Sequence, residues 1–417
     1  MTETITESEI VVLGAGMVGA ATALELQRRG RQVTLLDRKA PGEETSYGNA
    51  GVIEGGPYVP LAFPRDPREI LRFAGNRQTA LHFHWRFLPR IAPWLFALFS
   101  NSAEPRLREN GAAIQSLTAH APAMHEALLI EAGRADLLRK TGWLQLYASD
   151  AAFAADSLKR RIADEAGCDY SVLDTEAAKE LEPHLSPAFH KAVYWPSIRS
   201  VADPGAATKA VAELFAGQGG RIARMEVLAV EPLAGGWRVK TGQAEIAARH
   251  VVIALGPWSM DLLRPLGYRF PLAVKRGYHL HFRAKGNATL SRPVVDLSNG
   301  FVITPMAQGI RLTTGIEFAH RDAPLTPVQI ARAEIAARRL FPLEAPVDPE
   351  PWMGRRPCLP DSRPIIGPAP RHDGLWLNFG HAHLGYTLGP VSARLLAELI
   401  NGDSPISDPA PFAPTRF

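Results

Sequence analysis

Cysteine is nearly absent: Cys168 and Cys358 are the only two in 417 residues, and they lie far apart in the chain. Thiols so few and so spaced build neither a disulfide framework nor a metal knuckle, and a reducing cytoplasm is the expected setting. Also missing is any apolar run long enough to span a bilayer. The N-terminal MTETITESE is polar and acidic, without the basic start and apolar stretch of a signal peptide. Net charge is only +4 at pH 7, despite a pI near 9.1. No Lys/Arg block with interleaved aromatics occurs, so nucleic acid is not an expected partner. Internal repeats and low-complexity tracts are lacking too. What remains is an ordinary globular composition, 46% hydrophobic and 21% charged, in a chain longer than one core usually serves. Two domains are therefore expected.

The most informative stretch is residues 9–37, EIVVLGAGMVGAATALELQRRGRQVTLLD. Residues 10–13 form a continuous apolar run, as in a strand buried on both faces of a parallel sheet. Gly14-Ala15-Gly16-Met17-Val18-Gly19 follows at once. In this pattern the first glycine permits the tight turn and the second lets backbone approach a pyrophosphate. The third lets the helix close against the strand. Ala20, Ala21, Ala23, Leu24 and Leu26 favour a helix, which Gly30 ends. Its N-terminus carries free N–H groups and a dipole that favour negative charge. Residues 32–36 read as the second strand, with Asp37 at its end, where a carboxylate can accept hydrogen bonds from a ribose diol. Strand, turn, helix, strand and acid at this spacing predict a dinucleotide site. The motif does not separate NAD from FAD.

Further on, Glu44-Thr45-Ser46-Tyr47-Gly48-Asn49-Ala50-Gly51 is a run of small residues. It reads either as a loop between elements or as backbone and hydroxyl groups meeting a second part of a cofactor. Residues 56–108 are rich in proline and aromatics. Within them, residues 87–99 place Leu88, Ile91, Leu95 and Leu98 on one helical face with Trp94 and Phe99 beside it. That segment is too short to cross a bilayer. It reads as a core helix or as an amphipathic helix lying on a membrane surface. His82 and His84 alternate as on a strand, with no further ligand cluster nearby in sequence, and no metal site is expected. Helices are predicted over 110–139, 153–166 and 175–181, and a strand over 142–147. Asp203 caps a helix that opens with Pro204. Strands are predicted over 227–231, 237–241 and 245–255, the last ending in Gly256-Pro257-Trp258-Ser259. An alternating strand over 271–281 contains Lys275-Arg276-Gly277-Tyr278-His279, and two more strands fall within 300–318. A helix covers 326–340. Near the C-terminus a second glycine turn, Gly380-His381-Ala382-His383-Leu384-Gly385-Tyr386-Thr387, runs into the last helix.

Together these pieces resemble the D-amino acid oxidase-type FAD-dependent oxidoreductase family, closest to bacterial D-amino acid dehydrogenases, with glycine and sarcosine oxidases as cousins. The carrying segments are VVLGAGMVGAATALELQRRG…VTLLDR, TSYGNAG, DPGAATKAVAELFAGQGG, VVIALGPWS, KRGYH, GRRPCLPDSRPIIG and GHAHLGYTLGP, in the family's order over nearly the whole chain. The resemblance, not the spacing, selects FAD, held non-covalently, since Cys358 sits where the dehydrogenases carry an ordinary residue.

The resemblance implies an α/β fold: a Rossmann-like FAD-binding domain interleaved with an α+β substrate domain on a mostly antiparallel sheet. Residues 1–55, 198–262 and 354–417 would form the first, residues 56–197 and 263–353 the second. Gly14, Gly16 and Gly19 would hold the pyrophosphate, Asp37 and Arg38 the adenosine ribose. Ser46, Asn49, Ala50 and Gly51 would line the ribityl and isoalloxazine side. Val227 would meet adenine through its backbone, and Gly256 matches the turn after the second cofactor-contacting strand. Gly380, Gly385 and Thr387 would present backbone and a helix N-terminus to the flavin pyrimidine. In the GxRP turn Arg356 would anchor the substrate carboxylate, where a planar guanidinium gives two parallel hydrogen bonds. The competing reading pairs Arg356 with an internal acid such as Asp361. Tyr278 would be a second carboxylate contact and His381 a contact to flavin or substrate.

The implied reaction is oxidative deamination of D-amino acids to 2-oxo acids and ammonia, by hydride transfer from the substrate Cα–H to flavin N5. Electrons would pass to a quinone at the cytoplasmic face of the inner membrane, touched peripherally, or to oxygen. Glycine, sarcosine or a cyclic or N-alkyl amino acid is the alternative substrate class. A non-catalytic FAD-bearing subunit or sensor is the alternative of another kind.

Overall fold

A computed structural model describes residues 7–417. The apolar run read from the sequence becomes strand Glu7–Leu13, whose residues Ile10, Val11, Val12 and Leu13 have no solvent exposure. It lies between parallel neighbours, Val33–Asp37 on one side and Glu245–Ile253 on the other, with Arg221–Arg224 parallel beyond Val33–Asp37. Strand Glu245–Ile253 is shared at its far edge. Its first half pairs antiparallel with Gly236–Thr241, which turns back into Val227–Leu233. Its second half pairs parallel with Leu375–Phe379 from near the C-terminus, so the fold closes over a long sequence gap.

Helices Met17–Arg28, Pro204–Gly217 and Gly385–Asn401 bury Ala20, Leu24, Val211, Phe215, Leu388 and Leu395 in one core beside this sheet. Asp203 accepts a hydrogen bond from the Ala206 amide at 2.9 Å and caps the second of these helices, with Pro204 at its first position. Helices Glu104–Thr118 and Ala121–Glu131 contribute Ile114, Leu117, Leu128 and Leu129 to the same core.

The second sheet has eleven strands and is mixed. Most neighbours are antiparallel, but Leu81–Phe83 runs parallel to Ile316–Phe318, and Val294–Asp296 parallel to Trp143–Tyr147. Its long central strand, Ala273–Ala284, pairs with Gly309–Thr314, Ile316–Phe318, Leu343–Pro346 and Trp352–Cys358. Successive side chains alternate between faces. One face, carrying Tyr278, Leu280 and Phe282, packs against Ile330, Ala333 and Ala337 of helix Val328–Leu340. The other carries Lys275, Gly277 and His279. A small third sheet joins Val52–Ile53, Arg199–Val201 and Leu138–Arg139. Among the described residues no helix is long and apolar enough to cross a membrane.

In residues 87–99 the core reading fits the structure. Helix Leu88–Asn101 buries Ile91, Trp94 and Leu98 with Phe83 and Phe318, while Phe96 points outward.

Candidate active site

A cavity of about 1350 Å³ runs along the carboxyl end of the first sheet and onto the second. That exceeds the roughly 300–1000 Å³ of ordinary small-ligand clefts, so it can take a large cofactor and a substrate together. Its first wall is mostly backbone. Gly14 turns with φ +103°, and helix Met17–Arg28 starts at Gly16 with no side-chain cap. Gly19 does not border the cavity. A Cβ there would lie 1.7 Å from the Gly14 carbonyl oxygen, so its role is to let helix and turn touch. A second helix N-terminus, at Gly385, Tyr386 and Thr387, opens on the same cavity, again without a side-chain cap. Two sets of first-turn N–H groups thus converge on one space.

The polar side chains of this wall are largely committed to holding it. Asp37 accepts from the amides of Ala15 at 2.7 Å and Lys39 at 2.9 Å, and burial holds its carboxyl above the usual range. Arg38 pairs with Glu44 and stacks 4.3 Å from the Trp258 ring. Ser46 accepts from the Met17 amide at 3.0 Å, and Asn49 from the Gly51 amide at 2.8 Å. Ala50, Val227 and Gly256 border the cavity. Gly51 and Gly380 do not: they pack against Val201 and Leu359 and shape the turns on either side. The Thr387 hydroxyl donates to the Val52 carbonyl at 3.1 Å, which leaves only its backbone to face a ligand. Arg311 clamps the small-residue loop by donating to the Tyr47 and Asn49 carbonyls. It is itself oriented by His281, which Asp348 holds at 2.7 Å.

The second wall is built from side chains. Arg356 crosses the central strand at Gly277, where a Cβ would stand 2.5 Å from its Nη2. Its tip donates to the carbonyls of Gly315 at 2.7 Å and Thr314 at 3.3 Å, and it has no acidic partner among the described residues. The alternative partner, Asp361, instead accepts from Arg363 and Arg416. Burial lowers the Arg356 pKa, and the two carbonyls accept its hydrogen bonds without supplying a balancing charge. Arg355 turns away, donating to the Arg321 carbonyl.

The expectation for Tyr278 needs correction. Although the residue borders the cavity, its hydroxyl points to the opposite face of the strand. There it donates to Glu317 at 2.9 Å and accepts from Arg276 at 2.7 Å and the Thr326 amide at 3.0 Å. The reason is strand parity: Gly277 carries the Arg356 slot, so its neighbour faces away. His381 borders the cavity, but its Nε2 is used by Ser392 at 3.1 Å, and burial lowers its pKa to about 3, leaving it neutral.

The family model for FAD dependent oxidoreductases matches residues 9–399 of this chain. The chain belongs to that family. It is 31% identical to a D-amino-acid oxidase of Bradyrhizobium diazoefficiens, over 98% of both chains. To a D-amino acid dehydrogenase of Dechloromonas aromatica it is 32% identical, over 95% of this chain and 97% of the other. A crystal structure of glycine oxidase from Geobacillus kaustophilus superposes with a TM-score of 0.76 at 24% identity, over 99% of both chains, and shares the fold. The protein is thus an FAD-dependent oxidoreductase. The cradle fits FAD physically: a glycine turn, two helix starts whose N-cap residues supply no side-chain cap, and a cavity large enough for the whole group. Cys358 lies in the cavity wall as a free, buried thiol whose pKa is pushed up by burial, a poor nucleophile for a tether.

Several side chains of this oxidoreductase's second wall were not singled out from the sequence. His383 meets the Tyr58 hydroxyl at 3.3 Å. Burial, then the charges of Arg356, Lys275 and Lys159, lower its pKa to about 3. Glu54 stands 3.7 Å from Lys159. Lys275 stood in the quoted KRGYH run, and its even spacing from Gly277 was the available signal. Glu317 joins His82 and His84 because parallel pairing puts it opposite His82. Its carboxylate already pairs with Arg276 at 2.7 Å. His279, His281 and Asp348 also cluster, with Arg311 donating to His281.

Proposed function

We propose that this oxidoreductase dehydrogenates the Cα–N bond of amino acids, D-amino acids foremost, yielding 2-oxo acids and ammonia after hydrolysis of the imine. The carrying observation is Arg356: a guanidinium with no acidic partner among the described residues, bordering the same cavity as the glycine cradle. A substrate carboxylate supplies the missing charge and is fixed in direction by the planar fork. FAD, when bound along Gly14, Gly16, Ser46, Asn49, Ala50, Val227, Gly256, Gly385 and the Thr387 backbone, supplies the two-electron acceptor. The chain's own contribution is orientation and dryness: Arg356 sets the carboxylate, Gly277 leaves it room, and neutral His381 and His383 add no competing charge. Relatives named for D-amino acids at 31% and 32% identity support this substrate class, and a glycine oxidase of Pseudomonas aeruginosa at 30% keeps glycine as the second reading.

For the electron acceptor we favour a quinone reached at a membrane surface. Leu61 and Trp85 border the cavity and are 50% and 62% exposed, and helix Pro67–Ala74 beside them shows Leu71 with Arg68 and Arg72. Apolar side chains rimmed by arginines match an anionic bilayer surface.

The test is anaerobic bleaching of the flavin by a panel of D- and L-amino acids, glycine, sarcosine and proline derivatives. D-amino acids should bleach it best. Bleaching by N-alkyl or cyclic compounds alone moves the assignment to that class, and a flavin that nothing bleaches contradicts the enzyme reading. Re-oxidation by quinone but not by air is the expected acceptor result.

A further inference from the structure

The face of strand Ala273–Ala284 that receives Arg356 also carries a second cation. Lys275 lies two residues before Gly277 and so leaves the strand on the same side. In the antiparallel register with Trp352–Cys358 it stands directly opposite Arg356. It is only 6% exposed and borders the cavity, and its ammonium makes no hydrogen bond or ion pair with any described residue. Its one polar-type contact is with an aromatic face, the ammonium resting 4.9 Å from the Trp94 ring centroid. Trp94 in turn packs against Phe318, so the ammonium sits above an apolar floor.

Most acids of the cavity wall are engaged elsewhere, and Glu226, which is not, is exposed to solvent. Glu54 stands by Lys159, Glu44 by Arg38, and Asp261 and Asp322 by Arg321. Asp296 accepts from Asn299. Two cations on directly opposed strand positions, Lys275 buried and Arg356 half-buried, neither paired with a carboxylate, repel one another and forgo hydration. Burial lowers the Lys275 pKa and Arg356 lowers it further, with Cys358 acting the other way. The two heads do not converge. Arg356 is drawn across Gly277 to the carbonyls of Thr314 and Gly315, while Lys275 extends toward the helix that carries Trp94. One carboxylate at Arg356 leaves the ammonium over Trp94 unbalanced.

We propose that Lys275 forms a subsite for a second anionic group on the substrate, so that the preferred substrates are amino acids whose side chain ends in a carboxylate. Phe318, which borders the cavity, takes the intervening methylene groups, and the ammonium over Trp94 takes the terminal charge. This rests on the reading that Arg356 holds the α-carboxylate.

The experiment titrates the flavin absorbance of the holoenzyme with non-reacting acids in matched pairs: succinate against butyrate, glutarate against pentanoate. In the wild type the dicarboxylate should bind at least about ten-fold more tightly, the scale of one hydrogen bond to a charged group. Lys275→Met should bring that ratio close to one, and Lys275→Arg should retain most of it. Equal affinities in the wild type would overturn the subsite. So would a preference that survives Lys275→Met, or an equal weakening of both acids in that variant, which would place Lys275 on the shared carboxylate. If monocarboxylates perturb the flavin and the second carboxylate adds nothing, the Lys275 subsite alone fails. If no acid of either kind perturbs it, the Arg356 reading falls too.

Discussion

At one end of the cavity the wall is backbone, and at the other it is side-chain charge. The glycine cradle presents turns and helix starts, while its polar side chains, Asp37, Ser46 and Asn49, spend their hydrogen bonds on the protein's own amides. The opposite end presents Arg356 and Lys275, whose charges the described residues leave unbalanced. The first wall can be complete before any ligand arrives. The second carries an electrostatic cost that an anion relieves. A cofactor that stays bound suits the first arrangement, and a substrate that comes and goes suits the second.

The largest effect expected from breaking this contrast is at Gly19. Gly19→Ala puts a methyl group 1.7 Å from the Gly14 carbonyl oxygen. Backbone must move, at more than about 3 kcal/mol, and the purified protein should lose most of its flavin absorbance. Next comes Gly277→Ala, whose methyl would displace the Arg356 guanidinium. Flavin should be retained while kcat/KM falls by about a hundred-fold, the usual scale for an ångström of misplacement.

A smaller effect separates the two faces of the central strand. Tyr278→Phe strips a hydroxyl from the buried Arg276–Glu317–Thr326 network. Stability should fall by about 1–3 kcal/mol by chemical denaturation, with KM within about two-fold of wild type. A large KM increase with unchanged stability would return Tyr278 to the substrate.

The mildest test is pH. His381 and His383 have folded pKa values lowered to about 3 from an ordinary 6.5. Between those values the unfolded chain binds protons that the folded chain refuses. Stability is therefore fully present above about pH 6.5 and declines as pH drops below it. The denaturation midpoint should begin to fall between about pH 6.5 and 5, before most carboxylates titrate, and His383→Asn should flatten that slope.

The same contrast explains what could be read in advance. A wall of backbone leaves its mark in the chain as glycines at fixed spacing, so the 9–37 unit and the turn before the last helix were legible, and FAD followed from the family resemblance. Asp203 with Pro204 marked its helix because capping is local. A wall of side chains depends on which face of a strand each residue takes and on partners distant in sequence. Tyr278 was singled out and Lys275 was not, until register showed that Gly277 houses Arg356 and that its odd-numbered neighbours share that side. Glu317 could not be placed by His82, because their parallel pairing joins strands more than two hundred residues apart. Residues 110–139 gave a helical pattern, yet nothing in it showed that it would divide into Glu104–Thr118 and Ala121–Glu131 and end before strand Leu138–Arg139, or that Ile114 and Leu128 would pack in the first core.

The most direct test of the account is substrate reduction of the flavin in Arg356→Met, followed anaerobically over a range of D-amino acid concentrations beside the wild type. The account predicts a flavin-loaded variant whose reduction no longer saturates at concentrations that saturate the wild type. Its kcat/KM should be lower by about thirty-fold or more, as expected when a charge-assisted carboxylate contact is lost. Saturation at the wild-type concentration and rate would mean that the carboxylate is held elsewhere, and the unpaired charge of Arg356 would then need another explanation.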